Sequence, residues 1–354
     1  MTMPVVSPIA KGASLAVLAA LLFGITTPII QKAGADAGPF PTAMLLYAGA
    51  VLATVPWPRG SSRREAPVRK RHATRLLAVA LLGSVVAPAC FVWGLQCTSG
   101  TSASLLLNFE AAFTVFLGWR LYGEGIERRV IVAACLMALG GALLVMAGTP
   151  TSRGVGWGAA AIVLATLGWA LDNALTRPLA DLDPVQVVRW KGALGACFCL
   201  LASLALGEEF PRSGHLIALL GCGATGYGLS LRLYLLAQRR IGAGRTGSVF
   251  ALAPFIGAAV AWGLGERANG LATFGAALLF ALAVYLHVTE KHEHRHTHER
   301  VEHEHAHTHD DGHHDHAHDP EVGVQHSHPH RHEPLTHEHA HGPDAHHGHR
   351  HASS

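Results

Sequence analysis

Charge is scarce through most of this chain. Only 14% of its 354 residues are Asp, Glu, Lys or Arg, and of the 24 acids just 11 precede residue 290. Segments so poor in charge have no polar face to turn toward water, which excludes a fibrous or water-soluble all-helical protein. No G-x-x-x-x-G-K-[ST] phosphate loop occurs, so ATP coupling on this chain is not expected. Cysteine is sparse too. Cys90, Cys97, Cys135, Cys197, Cys199 and Cys222 all fall in apolar segments or at their edges, where cysteine serves as a small packing residue. Histidine is nearly missing before residue 290, with only His72, His215 and His287. Beyond that point the missing class is the apolar one, and such a segment buries too little to offset the entropy of ordering it. Residues 290–354 therefore read as a disordered tail.

What the first part does contain is long apolar runs. A spanning helix needs about 20 mainly apolar residues, and ten segments qualify, near 12–30, 41–57, 75–96, 101–121, 130–147, 157–176, 185–206, 215–237, 247–264 and 270–289. The fold class expected is an all-α integral membrane protein of ten transmembrane helices. Lys and Arg give its orientation. With the N-terminus inside, the inner loops and helix ends hold 15 of them, from Lys11 through the Arg59–Arg75 group to Arg239, Arg240 and Arg245. The outer loops hold four, Lys32, Arg153, Arg212 and Arg267. This bias is the positive-inside pattern, and ten spans return the C-terminus to the cytoplasm.

The chain also repeats itself. LLFGITTPIIQKAGADAGPFP has a counterpart in TLGWALDNALTRPLADLDP, and SLLLNFEAAFTVFLGWRLYGE has one in SVFALAPFIGAAVAWGLGE, each about 142–144 residues on. Each half holds five spans, so the second half must sit upside down relative to the first. Inverted repeats of this kind build many secondary transporters, with the substrate near the midplane between the halves. The organisation expected is a first repeat at 1–148, a second at 149–289, and the tail at 290–354.

These residues carry a resemblance. Two five-helix halves, each closing its fourth helix with a Gly-Glu pair (Gly123-Glu124 and Gly265-Glu266), are similar to the drug/metabolite transporter superfamily, EamA type. The resemblance covers residues 12–289. It implies an inner-membrane permease, often an exporter and not an enzyme, with a cavity lined by the first four helices of each half. Pro254 matches the proline usual in the fourth-helix motif, whereas the first half departs from it with Glu110-Ala111. A histidine-rich tail resembles the branch linked to nickel and cobalt resistance.

The chemistry centres on a few polar residues in apolar surroundings. Glu110 lies about ten residues into the fourth span, where an ionisable group is costly. It is either a structural carboxyl bonded to a neighbouring helix or a cation ligand and coupling-proton carrier. Asn108 is a weaker co-ligand candidate. Asp172 and Asn173 at the inner end of the sixth span, Arg189 and Lys191 opening the seventh, and Arg232 near the inner end of the eighth all fall in the cytoplasmic half. They form either a charge cluster at the inner mouth or a set of cations snorkelling to the interface.

The tail carries 23 of the 26 histidines, interleaved with 13 acids. They are His292, His294, His296, His298, His303, His305, His307, His309, His313, His314, His316 and His318, followed by His326, His328, His330, His332, His337, His339, His341, His346, His347, His349 and His351. HEHRH and HEHAH spell H-E-x-x-H, but that motif works on a buried helix, and an alternating run generates it without one. Alternating imidazoles chelate instead, and they suit Ni, Co and Zn without choosing among them. No tightly bound cofactor and no nucleic-acid partner are expected. The partners expected are the lipid bilayer, transition-metal ions on the tail and a small-molecule substrate, with assembly as a homodimer left open. The leading functional expectation is an inner-membrane efflux permease for nickel or cobalt with a metal-capturing cytoplasmic tail. The alternatives are an amino-acid or metabolite exporter whose tail only senses or buffers metal, and a membrane-anchored metal buffer. The basic bias predicts that a reporter fused after His351 is active only if it works in the cytoplasm; periplasmic activity would overturn the orientation.

Overall fold

The computed structural model describes residues 8–56, 66–122, 128–146, 155–176, 179, 182–241, 243–266 and 270–288, and four short strands in the tail. Ten apolar helical stretches follow one another: α1 Ala10–Ala33, α2 Pro39–Leu52, α3 Lys70–Cys97, α4 Gly100–Leu121, α5 Ile131–Met146, α6 Gly156–Thr176, α7 Pro184–Leu206, α8 Ser213–Gln238, α9 Thr246–Gly263 and α10 Gly270–Leu286. Seven of them are long and apolar enough to cross a membrane; α2, α5 and α10 are shorter. The second expected span, 41–57, is displaced. Its helix starts at Pro39 and stops at Leu52, where the Thr54 N–H turns back to the Val51 carbonyl at 2.9 Å. At 1.5 Å per residue, α2 is only about 21 Å long.

The helices pair between halves more than within them. α1 packs on α8 and α9, α6 packs on α3 and α4, α2 packs on α7, and α5 packs on α10. Exchanging the halves maps this set onto itself. The α2–α7 pair fixes the relation, because the helices run antiparallel. At one end the Gly38 N–H donates to the Glu209 carbonyl (3.0 Å), and the Phe40 N–H donates to Glu208 Oε2 (2.9 Å). At the opposite end the Asp183 N–H donates to the Ala66 carbonyl (2.9 Å), and the Val185 N–H donates to Asp183 Oδ1 (2.9 Å). Both helices open on a proline, Pro39 and Pro184, which suits a first turn whose N–H has no partner to lose. The second-residue N–H is capped by a carboxylate in each case, once from the other half and once from the preceding residue.

Further contacts reinforce both junctions. The Val68 N–H donates to Gln186 Oε1 at 3.1 Å. Arg189 donates to Thr54 Oγ1 (3.1 Å) and to the Thr54 carbonyl (2.9 Å). At the Gly38 end, Asp36 faces Arg212 Nε at 3.4 Å and His215 Nδ1 at 3.0 Å. That His215 hydrogen bond is the chief reason the Asp36 carboxyl titrates below its ordinary value. α7 itself ends on Gly207 at φ 66°, a left-handed cap that glycine adopts without a Cβ clash.

Packing inside is close. Phe91, Phe280, Leu46, Ile162 and Leu219 are fully buried. Trp157, Trp190, Trp262 and Leu271 face outward, as tryptophans at a bilayer interface and leucines in lipid do. α2 and α8 touch through glycines on both sides: a methyl group on Gly49 would strike the Leu220 carbonyl, and one on Gly223 would strike the Leu46 carbonyl.

Within the tail, Glu293–Thr297 pairs with Thr336–Ala340 and Val301–His307 pairs with His326–His332, both antiparallel. For these four segments of 290–354 only the backbone register is described. Alternating composition has the period of a strand, although two-stranded ladders without an apolar face are marginal in water. The other tail residues lie outside the described ones, as do Gly123-Glu124 and Arg177.

The glycine contact predicts that Gly223→Ala costs about 1–3 kcal/mol by overpacking. A lower Tm of the purified variant in detergent checks it, with Gly221→Ala, where nothing stands within 4 Å, as the control.

Candidate functional site

The fourth helix of each half is broken at the same place. α4 consists of Gly100–Leu106 and Phe109–Tyr122, joined by a turn at Leu107–Asn108. The α9 region consists of Ala243–Phe250 and Ala253–Gly263, joined at Ala251–Leu252. The break in α4 is stitched by tightened bonds, Asn108 N–H to the Leu105 carbonyl (3.1 Å) and Glu110 N–H to the Leu107 carbonyl (3.1 Å). Asn108 is 3% exposed. Its Nδ2 donates to the Leu105 carbonyl at 2.8 Å, and its Oδ1 has no partner. The first turn after the break carries Glu110 in one half and Pro254 in the other. A helix start in mid-membrane gives a carboxylate or an anionic group free N–H donors and a favourable dipole.

α6 brings the other polar groups to this point. Asn173 Nδ2 donates to Glu110 Oε1 at 2.7 Å, a bond from the second half to the first. The adjacent Asp172 turns to α7, where its Oδ2 forms an ion pair with Lys191 Nζ; Thr176 Oγ1 donates to its Oδ1 at 3.4 Å. Asp172 is 3% exposed and Lys191 7%, so Lys191 does not snorkel. The pair neutralises itself inside the protein, and Glu110 lies within the electrostatic field of both charges.

A widened turn makes room for the pair. α3 passes through a π-helical segment at Leu81–Val86, and α8 passes through one at Gly223–Leu229. Such bulges concentrate at functional sites. Asp172 packs directly on Gly83, where a Cβ would collide with its carboxylate. The Gly83 carbonyl accepts from Tyr47 Oη (2.6 Å) and Trp169 Nε1 (3.1 Å). Around these groups stands an aromatic wall. Phe23 meets Trp169, Tyr227 and Phe250 at centroid distances of 6.3, 5.7 and 5.6 Å. Tyr47 meets Tyr227 at 5.5 Å, and Tyr234 meets Phe250 at 5.0 Å. The buried Tyr227 hydroxyl has no partner.

The expected cluster therefore divides. Glu110, Asn173 and Asp172 come together with Lys191. Arg189 instead ties α7 to the end of α2, and Arg232, half-buried on α8, interacts with Asp183. Sequence reasoning left Lys191 between an inner-mouth charge cluster and an interfacial cation, and missed Trp169 and Tyr227. The available signal was a lone acid in one apolar segment and two bases, Arg189 and Lys191, in the next. Among the described residues no group of three metal-ligating side chains forms. Of the tail histidines only a backbone register is described, with His294 opposite His339, His296 opposite His337, and His303, His305 and His307 opposite His330, His328 and His326.

Paired halves with antiparallel equivalents, broken fourth helices and a polar centre define a secondary transporter. The family follows from the sequence match: the EamA-like transporter family is matched at residues 10–146 and again at 156–288, and the chain belongs to it. Its apolar helices make it a multi-pass membrane protein of that family. An uncharacterized transporter of Methanothermobacter thermautotrophicus is 31% identical over 204 residues, 56% of this chain and 59% of the relative, so the chain spans about three fifths of that protein. The uncharacterized inner membrane transporter YicL of Salmonella typhimurium is 24% identical over 66% of this chain and 80% of its own. A crystal structure shares the fold with a TM-score of 0.59 and 15% identity, over 77% of this chain and 94% of that one.

Removing one partner of a buried ion pair leaves an unpaired charge, at a cost of about 3–5 kcal/mol. Asp172→Asn and Lys191→Met are each expected to lower the Tm and the amount of folded protein. Asp172→Asn combined with Lys191→Met should recover most of both, as measured by fluorescence-detected size-exclusion chromatography.

Proposed function

We propose that the protein is an inner-membrane exporter of a divalent transition metal such as nickel or cobalt, with all ten helices crossing and both termini cytoplasmic. The observation that carries the reading is the Glu110 carboxylate at the break of α4, bonded across the halves by Asn173. Asp172 is neutralised by Lys191, which makes Glu110, among the described residues, the acid of this centre that is bonded to an amide and not to a cation. A carboxylate so placed can hold a cation or a proton in turn, which is what exchange of metal against protons requires. The centre offers no three-ligand chelate among its described residues. Capture falls to the tail, whose imidazoles suit nickel, cobalt and zinc and whose acids raise the local cation concentration. A tail at the cytoplasmic end of α10 supplies metal to an outward path.

A second reading has its own support. The wall of Phe23, Trp169, Tyr227, Tyr234 and Phe250 gives apolar faces to an organic substrate, and Glu110 would then bind an amino group of a metabolite. The tail would buffer metal beside it.

Uptake of radiolabelled nickel into everted vesicles, with and without a proton gradient, tests the first reading. Wild-type uptake should require the gradient. Glu110→Gln keeps the size and hydrogen bond of the side chain but removes its charge, and should abolish uptake at normal abundance. Truncation after Lys291 should raise the half-saturating nickel concentration and leave the maximum nearly unchanged. Gradient-independent or absent nickel uptake by the wild type would sink metal export and favour the organic substrate.

A further inference from the structure

Two kinds of contact join the halves at the end where α3 meets α4. The first kind is the α2–α7 junction, with Gly38 on Glu209 and Phe40 on Glu208 (3.0 and 2.9 Å). The second joins the α9–α10 turn to the start of α4. Glu266 Oε1 accepts from the Gly100 N–H at 3.1 Å, and its Oε2 accepts from the Thr101 N–H at 2.9 Å and from Thr101 Oγ1 at 3.0 Å. Lys32 Nζ adds a bond to the Leu264 carbonyl at 3.3 Å.

These contacts behave differently under exchange of the halves. The α2–α7 junction is made at both ends of the pair in one and the same structure, through Asp183 on Ala66 at the far end. A tie closed at both ends at once cannot be the one that opens at alternate ends. It has the properties of a pivot. Asp36 meets Arg212 and His215 beside the pivot, whereas the Glu266 contact grips the helix that carries Glu110. Beside it lies an open cleft of about 370 Å³ bordered by Gln31, Lys32, Leu95, Gln96, Thr98 and Glu266. The bonds that cross the cleft from Gln31 to the Thr98 carbonyl (2.8 Å) and from Gln96 to the carbonyls of Gly34 and Ala37 (3.0 and 2.8 Å) stay within the first half. They travel with it when the halves part.

We propose that Glu266 is a gate-positioning residue: its carboxylate latches the start of α4 to the second half, and releasing it opens the α3–α4 end about the α2–α7 pivot. The closed latch accounts for the left-handed Gly265 (φ 97°), which turns the chain so that the next side chain reaches back over the α4 N-terminus. It also gives the second Gly-Glu pair a task that neither packing nor solvation requires, because three donors of another helix converge on one side chain.

Thiol labelling in lipid nanodiscs tests the proposal without reference to cargo or orientation, since both faces meet the reagent. The parent is a Thr98→Cys variant with the six native cysteines replaced by alanine. Adding Glu266→Ala should speed maleimide labelling by about tenfold or more, because losing hydrogen bonds to a charged group shifts a two-state equilibrium by at least that factor. A disulfide between Thr101→Cys and Glu266→Cys should slow labelling at the Thr98→Cys site below the parent rate, and reductant should raise it to the Glu266→Ala rate, since the reduced pair has no carboxylate. A disulfide between Phe40→Cys and Glu208→Cys, across the pivot, should leave the rate unchanged. Unchanged labelling in Glu266→Ala would overturn the latch, and so would equal slowing by the two disulfides. Should Glu266→Ala fail to fold, the disulfide pair decides alone.

Discussion

The antiparallel union of α2 and α7 is the constraint on which the rest of this structure depends. Two short-range facts create it: each helix begins at a proline, and each leaves a second-residue N–H that a carboxylate fills. Once Gly38 is bonded to Glu209 and Asp183 to Ala66, the two halves can only lie head to tail. The other pairings, α1 on α8 and α9 and α6 on α3 and α4, follow as mirror consequences in the topological sense. α2 can be short because its ends are held by partners from the opposite half rather than by its own length.

A bilayer has no water to satisfy backbone groups, so irregular backbone survives there only where protein covers it. The breaks in α4 and α9 and the π turns in α3 and α8 meet that condition in different ways. Tyr47 and Trp169 take up the Gly83 carbonyl that the π turn frees. The Asn108 side chain bonds back to Leu105 across the break. Aromatic side chains here are therefore both wall and solvent substitute, which explains why they gather at the same depth as the charges.

Much of this frame was legible in the sequence. Ten apolar segments, the repeat and the position of Glu110 all came from composition and spacing, because lipid exposure leaves a long apolar run and gene-level repetition leaves similar words. The partners did not. That Asn173 reaches Glu110 while its neighbour Asp172 turns to Lys191 depends on the rotation of α6 about its own axis, which a helix with apolar residues on every side does not reveal. The sequence left Lys191 open to an interfacial reading because it lies only two turns from the start of α7; its burial against Asp172 is a tertiary fact. The end of α2 was placed too late since the residues after Leu52 remain apolar without being helical.

The two halves share a frame but not a charge distribution. Glu110 stands where the other half has Pro254, and Lys191 of α7 has no charged counterpart anywhere in α2. A symmetric frame alone would make the two end states of the cycle equal in energy, like a balanced seesaw. Placing the lone acid Glu110 in one half and the self-neutralised Asp172–Lys191 pair in the other removes that degeneracy. The strokes toward the two faces of the membrane then differ in how much charge they carry and how far, so the device resembles a rectifier: its resting state and its response to membrane voltage are written into which arm bears the acid.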